Sequence, residues 1–399
     1  MNIVCAESVF KGKEIFDEFG DCTVIPDKKI KNDDLKGTDA LIIRSGTIVN
    51  QQLLDKTPVK FVGTATSGID HIDLKWIKKN NVYFQDAKGS NAESVADYVI
   101  TAILKIMSKD KVDFKGKKIA IIGYGAVGTI LAKKAKSIGL KILLNDPPLL
   151  ESKRLNKINK STSDNNREIR NKLKKLDEIL PQADIVSIHT PLTTIGKWPT
   201  KNLVNKDFLD LIKKGAIFIN TSRGGVCDES ALLNAKKNGA IRYIVTDVWK
   251  DEPNYNIELC NQSIIATPHI AGHSYHAKFL GSYWVALSLS KLFKINFNQK
   301  SHSENINLIK ETIHINIKTF ISEERAFINI IDQAYDIIED SNLMKETNKK
   351  TDIERLEAFK HMRLNYPIRR EFRDTIIKSS FATKEFKKKL ASLGFNVLD

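Results

Sequence analysis

The segment Gly123-Tyr124-Gly125-Ala126-Val127-Gly128 restricts the fold of this chain more than any other. It follows the apolar run Lys118–Ile122 and opens a stretch, LAKKAKSIGL, with helical spacing. KILLND then reads as the next strand, ending at Asp146. A G-x-G-x-x-G turn in that strand–turn–helix setting is the dinucleotide-binding turn of a doubly wound parallel sheet. Gly123 allows the tight turn, Gly125 lets the backbone approach a pyrophosphate, and Gly128 lets the helix pack close to the strand. The helix start at Ala126 and Val127 would face the pyrophosphate with unpaired N–H groups and a partial positive charge. Asp146 lies 18 residues beyond Gly128, near the spacing of an acid that bonds ribose hydroxyls. It would repel a 2′-phosphate, so the expected cofactor is NAD rather than NADP.

The surrounding sequence suits such a sheet. ADIVSIHTP, GAIFIN, IRYIVTDVW and SIIATPHIAG are near-continuous apolar strands separated by helical segments, as in a parallel sheet covered on both faces. Residues 1–92 alternate short apolar runs with Gly-, Ser- and Thr-rich turns and read as a small α/β domain; the helix AESVADYVITAILKIM carries the chain into the next. After about residue 290 the pattern changes. SEERAFINIIDQAYDIIED reads as one amphipathic helix, and DTIIKSSFATKEFKKKLASLGFNVL as a strand, a helix and a strand. Glu151 to Lys175 is polar, basic and low in complexity, and is expected to be a mobile surface insertion without chemistry.

Composition excludes several function classes. The net charge is +15, but only 12 of the 63 basic residues are Arg, the residue whose fork reads bases and phosphates. The charge therefore reads as a Lys-rich bias of the whole surface, and no nucleic-acid partner is expected. No apolar run approaches the roughly 18 residues of a membrane span, so no membrane partner is expected either. MNIVCAESVF reads as a strand rather than a secretory signal. The four Cys are scattered and form no C-x-x-C pair, so neither metal nor disulfides are expected, and a cytoplasmic setting fits.

Three segments carry the chemistry. Arg223 in INTSRGGVCDE, Glu252 in VTDVWKDEPN and His269 in IATPHIAGH all fall just past strand ends, where open α/β sheets bind ligands. A histidine suits removal of a hydroxyl proton because its pKa lies near neutral. A carboxylate beside it fixes the tautomer and stabilises the imidazolium. A guanidinium holds a substrate carboxylate bidentately. Each residue alone has an ordinary structural explanation; their joint order downstream of a dinucleotide turn points to catalysis. His71, His189 and Cys227 read as structural.

With TSRGGVCDE, DVWKDEP and TPHIAG in place, the chain resembles the D-isomer-specific 2-hydroxyacid dehydrogenase family. RSGTIVN, KFVGTATSGIDHID, NDPP and the tail segments AYDIIED and LNYPIRREF narrow the match to a branch acting on a phosphorylated four-carbon hydroxy acid in pyridoxal 5′-phosphate biosynthesis. The resemblance implies an α/β fold with three parts. The Rossmann domain (93–269) would bind NAD, and a flavodoxin-like lid domain (1–92) would be completed by about 270–292. A small C-terminal α/β domain (293–399) would form a homodimer. It implies that Arg223 and Glu252 are the active-site pair and His269 the proton donor or acceptor. Asp146, Thr190, Asp247 and Gly272 match NAD-binding positions, and Ser45 and Thr66 match substrate-binding ones. NAD would sit between the first two domains, whose closure would exclude water. The chain departs from the branch at His273, where a substrate-contacting Tyr is usual; an imidazole can still donate a hydrogen bond. Alternatives are a dehydrogenase for another 2-hydroxy acid such as 3-phosphoglycerate, or an NAD-sensing regulator, against which the retention of Arg, Glu and His together argues.

Overall fold

The computed structural model describes residues 1–111, 113–151, 172–299, 315–316, 322–367, 369–378 and 383–398. Most of the expected 151–175 insertion lies outside them. The chain divides into two compact units, Met1–Ser94 with His273–Lys310, and Val95–Gly272 with Glu311–Asp399.

In the first unit the strands are β1 (Asn2–Ala6), β2 (Asp21–Ile25), β3 (Ala40–Ile43), β4 (Phe61–Thr64) and β5 (Tyr83–Gln85). All pair in parallel in the order β2-β1-β3-β4-β5, the flavodoxin-like order. The central strands β3 and β4 are buried along their whole length, which is why ALII and FVGT show no polar alternation. The helix Tyr275–Phe293 returns to cover this sheet. A Cβ on Gly63 would come within 2.3 Å of Val285, and one on Gly281 within 2.8 Å of the Ala65 carbonyl oxygen. Glycine at both positions lets helix and strand approach this closely.

The second unit carries β6 (Lys118–Ile122), β7 (Lys141–Asn145), β8 (Ile185–Ile188), β9 (Ala216–Asn220), β10 (Ile241–Thr246) and β11 (Ile265–Ala266). They form a parallel sheet in the order β11-β10-β9-β8-β6-β7. Beyond β7, a single parallel bridge joins Leu144 to Leu173. Counted with that bridge, the order is that of the doubly wound Rossmann sheet, and the strand order reverses between β6 and β8. The C-terminal stretch adds β12 (Ile315–Asn316), β13 (Ile376–Lys378) and β14 (Asn396–Leu398), a small parallel sheet. Ile330, Phe386 and Leu390 share one apolar core with Val99, Ile103 and Leu131 of the Rossmann part. Each such side chain contributes roughly 1.5–3 kcal/mol by leaving water.

The expected single helix over SEERAFINIIDQAYDIIED is two, Glu323–Ala334 and Ile337–Glu346. Tyr335 is extended, and the Asp336 side chain accepts from the Ile338 and Glu339 N–H groups to cap the second helix. Apolar spacing runs through the break unaltered; the cap decides it.

Candidate active site

At the turn after β6 the three glycines separate by function. Gly123 has a φ of +96°, and a Cβ on it would lie 2.7 Å from the His189 carbonyl oxygen. A Cβ on Gly128 would lie 2.2 Å from the Gly123 carbonyl oxygen. Both are demanded by the protein's own packing. A Cβ on Gly125 would meet nothing within 4 Å. Gly125 is the N-cap of the helix Ala126–Ser137 and supplies no side-chain cap, so the first N–H groups remain open to an anion. Asp146 braces this turn: its carboxylate accepts from Tyr124 N (2.8 Å) and Leu149 N (2.8 Å). Across the switch point, the Thr190 hydroxyl after β8 is buried without a hydrogen-bond partner, as is the Thr221 hydroxyl after β9. Open helix N–H groups, an empty approach over Gly125 and two orphaned hydroxyls fit a pyrophosphate-bearing dinucleotide. Thr221 escaped the sequence reading, since an isolated Thr carries no pattern.

The catalytic candidates converge at the ends of β9, β10 and β11. Glu252 Oε2 lies 2.7 Å from His269 Nδ1, and Oε1 accepts from Trp249 N at 2.9 Å. The glutamate is therefore fixed at both oxygens, and the ring presents Nε2 as its other nitrogen. His269 remains 28% exposed against 18% for Glu252, so the ring is reachable. Burial works to raise the Glu252 pKa, but His269, then Arg363, and the Trp249 N–H outweigh it and hold the carboxyl below its ordinary value. Arg223 stands in the loop after β9, its Nη1 donating to the Ser222 carbonyl at 2.7 Å. The next residue, Gly224, packs so tightly on the Glu252 loop that a Cβ would sit 1.9 Å from the Trp249 carbonyl carbon. That contact sets the Arg223 loop directly against the Trp249–Glu252 loop.

His269 holds a left-handed backbone, φ +59°, which costs a side-chain-bearing residue free energy. Asp247 offsets it. Its carboxylate accepts from Ile270 N (2.7 Å), Ala271 N (2.9 Å) and the Thr267 hydroxyl (2.7 Å). Both oxygens of Asp247 are thus occupied by the loop that carries His269 and ends at Gly272. Burial, the largest influence, pushes the Asp247 carboxyl up to about 6. Desolvation pushes the His189 ring down to about 3, and its Nε2 lies 2.8 Å from the Ser187 hydroxyl. Burial raises the Cys227 thiol, and all four cysteines are buried and unbridged.

The first unit holds the remaining candidates. Ser45 is exposed in the turn after β3, and the Thr66 hydroxyl donates to the Gly68 carbonyl at 2.7 Å. His71 Nε2 lies 3.0 Å from the Thr64 hydroxyl. Half-buried His273 precedes Ser274, which caps the helix Tyr275–Phe293. One turn into that helix, burial and then Arg44 depress the pKa of the Lys278 ammonium, so two cations lie close together in this unit.

A family model described as D-isomer specific 2-hydroxyacid dehydrogenase, NAD binding domain, matches residues 105–271, and one described only as a domain of unknown function matches 309–394. The chain is 36% identical to an erythronate-4-phosphate dehydrogenase of Wigglesworthia glossinidia brevipalpis over 99% of its own length and 98% of the relative's. It is 37% identical to one of Ruthia magnifica over 93% of the chain and 96% of the relative. Among solved structures, 3-phosphoglycerate dehydrogenase of Entamoeba histolytica with bound NAD+ aligns with a TM-score of 0.59 at 23% identity, covering 74% of this chain and 95% of that one. The NAD-dependent formate dehydrogenase of Staphylococcus aureus aligns with a TM-score of 0.57 at 23% identity, covering 75% and 98%. At that identity these structures share the fold.

Proposed function

The chain belongs to the erythronate-4-phosphate dehydrogenase family, and from that premise we propose that it oxidises 4-phospho-D-erythronate to 2-oxo-3-hydroxy-4-phosphobutanoate with NAD, within pyridoxal 5′-phosphate biosynthesis. The observation that carries the reading is the Glu252–His269 pair at 2.7 Å on an NAD-binding sheet, in a chain whose likeness to these dehydrogenases runs from end to end.

In this reading NAD, when bound, would supply the acceptor for the hydride from C2. Gly123, Gly125, Ala126, Val127 and Gly128 would hold its pyrophosphate and Asp146 its ribose, with Thr190 and Gly272 lining the same site, while Asp247 would shape it through the loop that it braces. His269 Nε2 accepts the C2 hydroxyl proton, and Glu252 stabilises the imidazolium that forms. Arg223 holds the carboxylate of the substrate. Ser45, Thr66 and His273 bind the rest of the substrate, with Arg44 and Lys278 supplying positive charge for its phosphate. Residues 1–92 with about 270–292 serve as substrate lid, 93–269 bind NAD, and 293–399 form a homodimer. The setting is the cytoplasm, which four unbridged buried cysteines suit. Among the described residues no helix is long and apolar enough to cross a membrane.

Purified protein given 4-phospho-D-erythronate, NAD and a 2-oxoacid to reoxidise NADH should form the 2-oxo product and act poorly on 3-phosphoglycerate. The reverse preference refutes the substrate. His269→Ala should lower turnover by about 10²–10⁴ while NADH binding persists; normal turnover in that variant removes His269 from its role.

A further inference from the structure

The helix Asp352–Leu364 belongs to the C-terminal stretch whose family model names no function. It is seated on the loop that carries Glu252. The Phe359 ring stacks on Tyr255 with centroids 5.8 Å apart, and Tyr255 in turn packs on Trp249 at 5.2 Å. The Tyr255 hydroxyl lies 2.7 Å from that of Thr347 and donates to Asn348 Oδ1 at 2.6 Å, and the Arg355 guanidinium lies over the same ring. Phe359 is 1% exposed, so the orientation of this helix is fixed. Four residues on from Phe359, one turn along the same face, comes Arg363. Its Nη1 lies 3.8 Å from Glu252 Oε2, the oxygen that faces His269. Its Nε is buried without a hydrogen-bond partner, and its Nη1 faces the Glu252 carboxylate.

We propose that Arg363 is a positioning residue of the active site: the C-terminal stretch docks on the Trp249–Tyr255 loop and thereby sets a fixed cation behind Glu252, which keeps that carboxylate ionised and aimed at His269. A fixed positive charge at this distance favours the charged form of the carboxylate and opposes its rotation away from the ring. Arginine suits the place because its charge is permanent, and the helix that carries it is held by the stack of Phe359 on Tyr255. The charged groups around Glu252 are His269 from the loop after β11, Arg363 from this helix, and Asp247, which acts through His269, from the loop after β10. The inference rests on the catalytic reading of Glu252 and His269 given above.

The test is Arg363→Met, which keeps the bulk and removes the charge, with Arg363→Lys as the conservative variant. Glutamate carboxyl carbons labelled with carbon-13 report Glu252 by NMR, assigned by its loss in Glu252→Gln, in protein without substrate or NAD. The Met variant should move the Glu252 titration upward by about one pH unit, as loss of an opposite charge within 4–6 Å does. Its kcat should fall about tenfold, most steeply on the acid side of the pH profile, with the substrate KM within about threefold of wild type; the Lys variant should recover most of both. A Met variant with unchanged Glu252 titration and unchanged kcat overturns the proposal, and so does a rise in KM alone, which would make Arg363 a substrate ligand. Should the Met variant not fold, Arg363→Gln, which also removes the charge, decides by the same titration: an upward shift of similar size supports the proposal, and no shift overturns it. A wild type inactive on 4-phospho-D-erythronate would overturn the substrate reading, while the titration still decides the Arg363–Glu252 coupling.

Discussion

The turn after β6 and the stretch Asp352–Leu393 both serve the Rossmann sheet, yet they are built on opposite principles. The turn is local. Its conformation follows from three glycines within six residues, and a side chain added at one of them, Gly125, would meet nothing that the protein itself supplies. The C-terminal stretch is remote in sequence and works through charges held out of water. Lys134, 3% exposed on the helix that follows the turn, donates to Asp97 Oδ1 and to the Leu393 carbonyl oxygen, both at 2.6 Å. Asp97 Oδ2 accepts from Phe372 N at 3.0 Å. One side of the helix Ala126–Ser137 is thus prepared for a ligand and the other is tied to the chain's own tail. A site shaped for a ligand needs emptiness; a docking contact needs every polar group answered.

The comparison breaks most sharply at the buried pair. Lys134→Met removes the cation and leaves Asp97 in a site whose burial, the largest influence, already pushes its carboxyl up to about 6 against the pull of Lys134. Unfolding by denaturant should show a loss of about 3–5 kcal/mol at pH 7. The sign of the pH dependence follows from linkage. Between its ordinary value of 3.8 and about 6, Asp97 binds its proton more tightly folded than unfolded. Its contribution to stability therefore grows as pH falls through that window. Without Lys134 the Asp97 carboxyl takes its proton at a higher pH than in the wild type, so the gap should be widest where Asp97 is ionised in both proteins and should narrow as pH falls toward about 6. A gap that is small, or flat with pH, would mean that the tail docks through apolar packing alone.

A second pair of variants sharpens the contrast within the turn. Gly128→Ala places a Cβ 2.2 Å from a carbonyl oxygen and should cost about 1–3 kcal/mol of stability. Gly125→Ala meets no protein atom, and its φ of −82° suits alanine, so stability should stay within about 0.5 kcal/mol of wild type. Its NADH affinity should nevertheless fall about tenfold, the equivalent of ~1.4 kcal/mol. Fluorescence titration of NADH beside thermal melts reads both. Equal losses of stability in the two variants would erase the distinction between a ligand glycine and a packing glycine.

The two regions also differ in how far the sequence discloses them. The turn, the parallel sheets and the order Arg223, Glu252, His269 are legible because each rests on a short backbone pattern or an apolar run. Both sheets take the orders expected of Rossmann and flavodoxin-like folds. Arg363 stands 111 residues from Glu252, and no periodicity links the two; only the seating of Phe359 on Tyr255 joins them. Asp247 shows the same limit. Its position matches a cofactor contact, yet its oxygens are taken by the backbone of the His269 loop, and a sequence does not say which donors an acid will meet. The break at Tyr335–Asp336 was hidden because apolar spacing continues across it while a single cap ends one helix and starts the next.

Asp146 tests where the local reading ends. Its spacing suggests an acid on the cofactor ribose, but its carboxylate also holds Tyr124 N and Leu149 N, so it has a second task in bracing the turn. Asp146→Asn removes the charge and keeps one acceptor oxygen; Asp146→Ala removes both. If the charge selects the cofactor, both variants should shift the ratio of NAD to NADP efficiencies toward NADP by about five- to tenfold, because a 2′-phosphate is no longer repelled. If bracing the backbone is its main task, the Ala variant should lose efficiency with both cofactors while the ratio in the Asn variant stays put. The effect is the smallest of the set, since the group is only half-buried and solvent screens it. It is also the one that separates what the motif implies from what the fold requires of the same side chain.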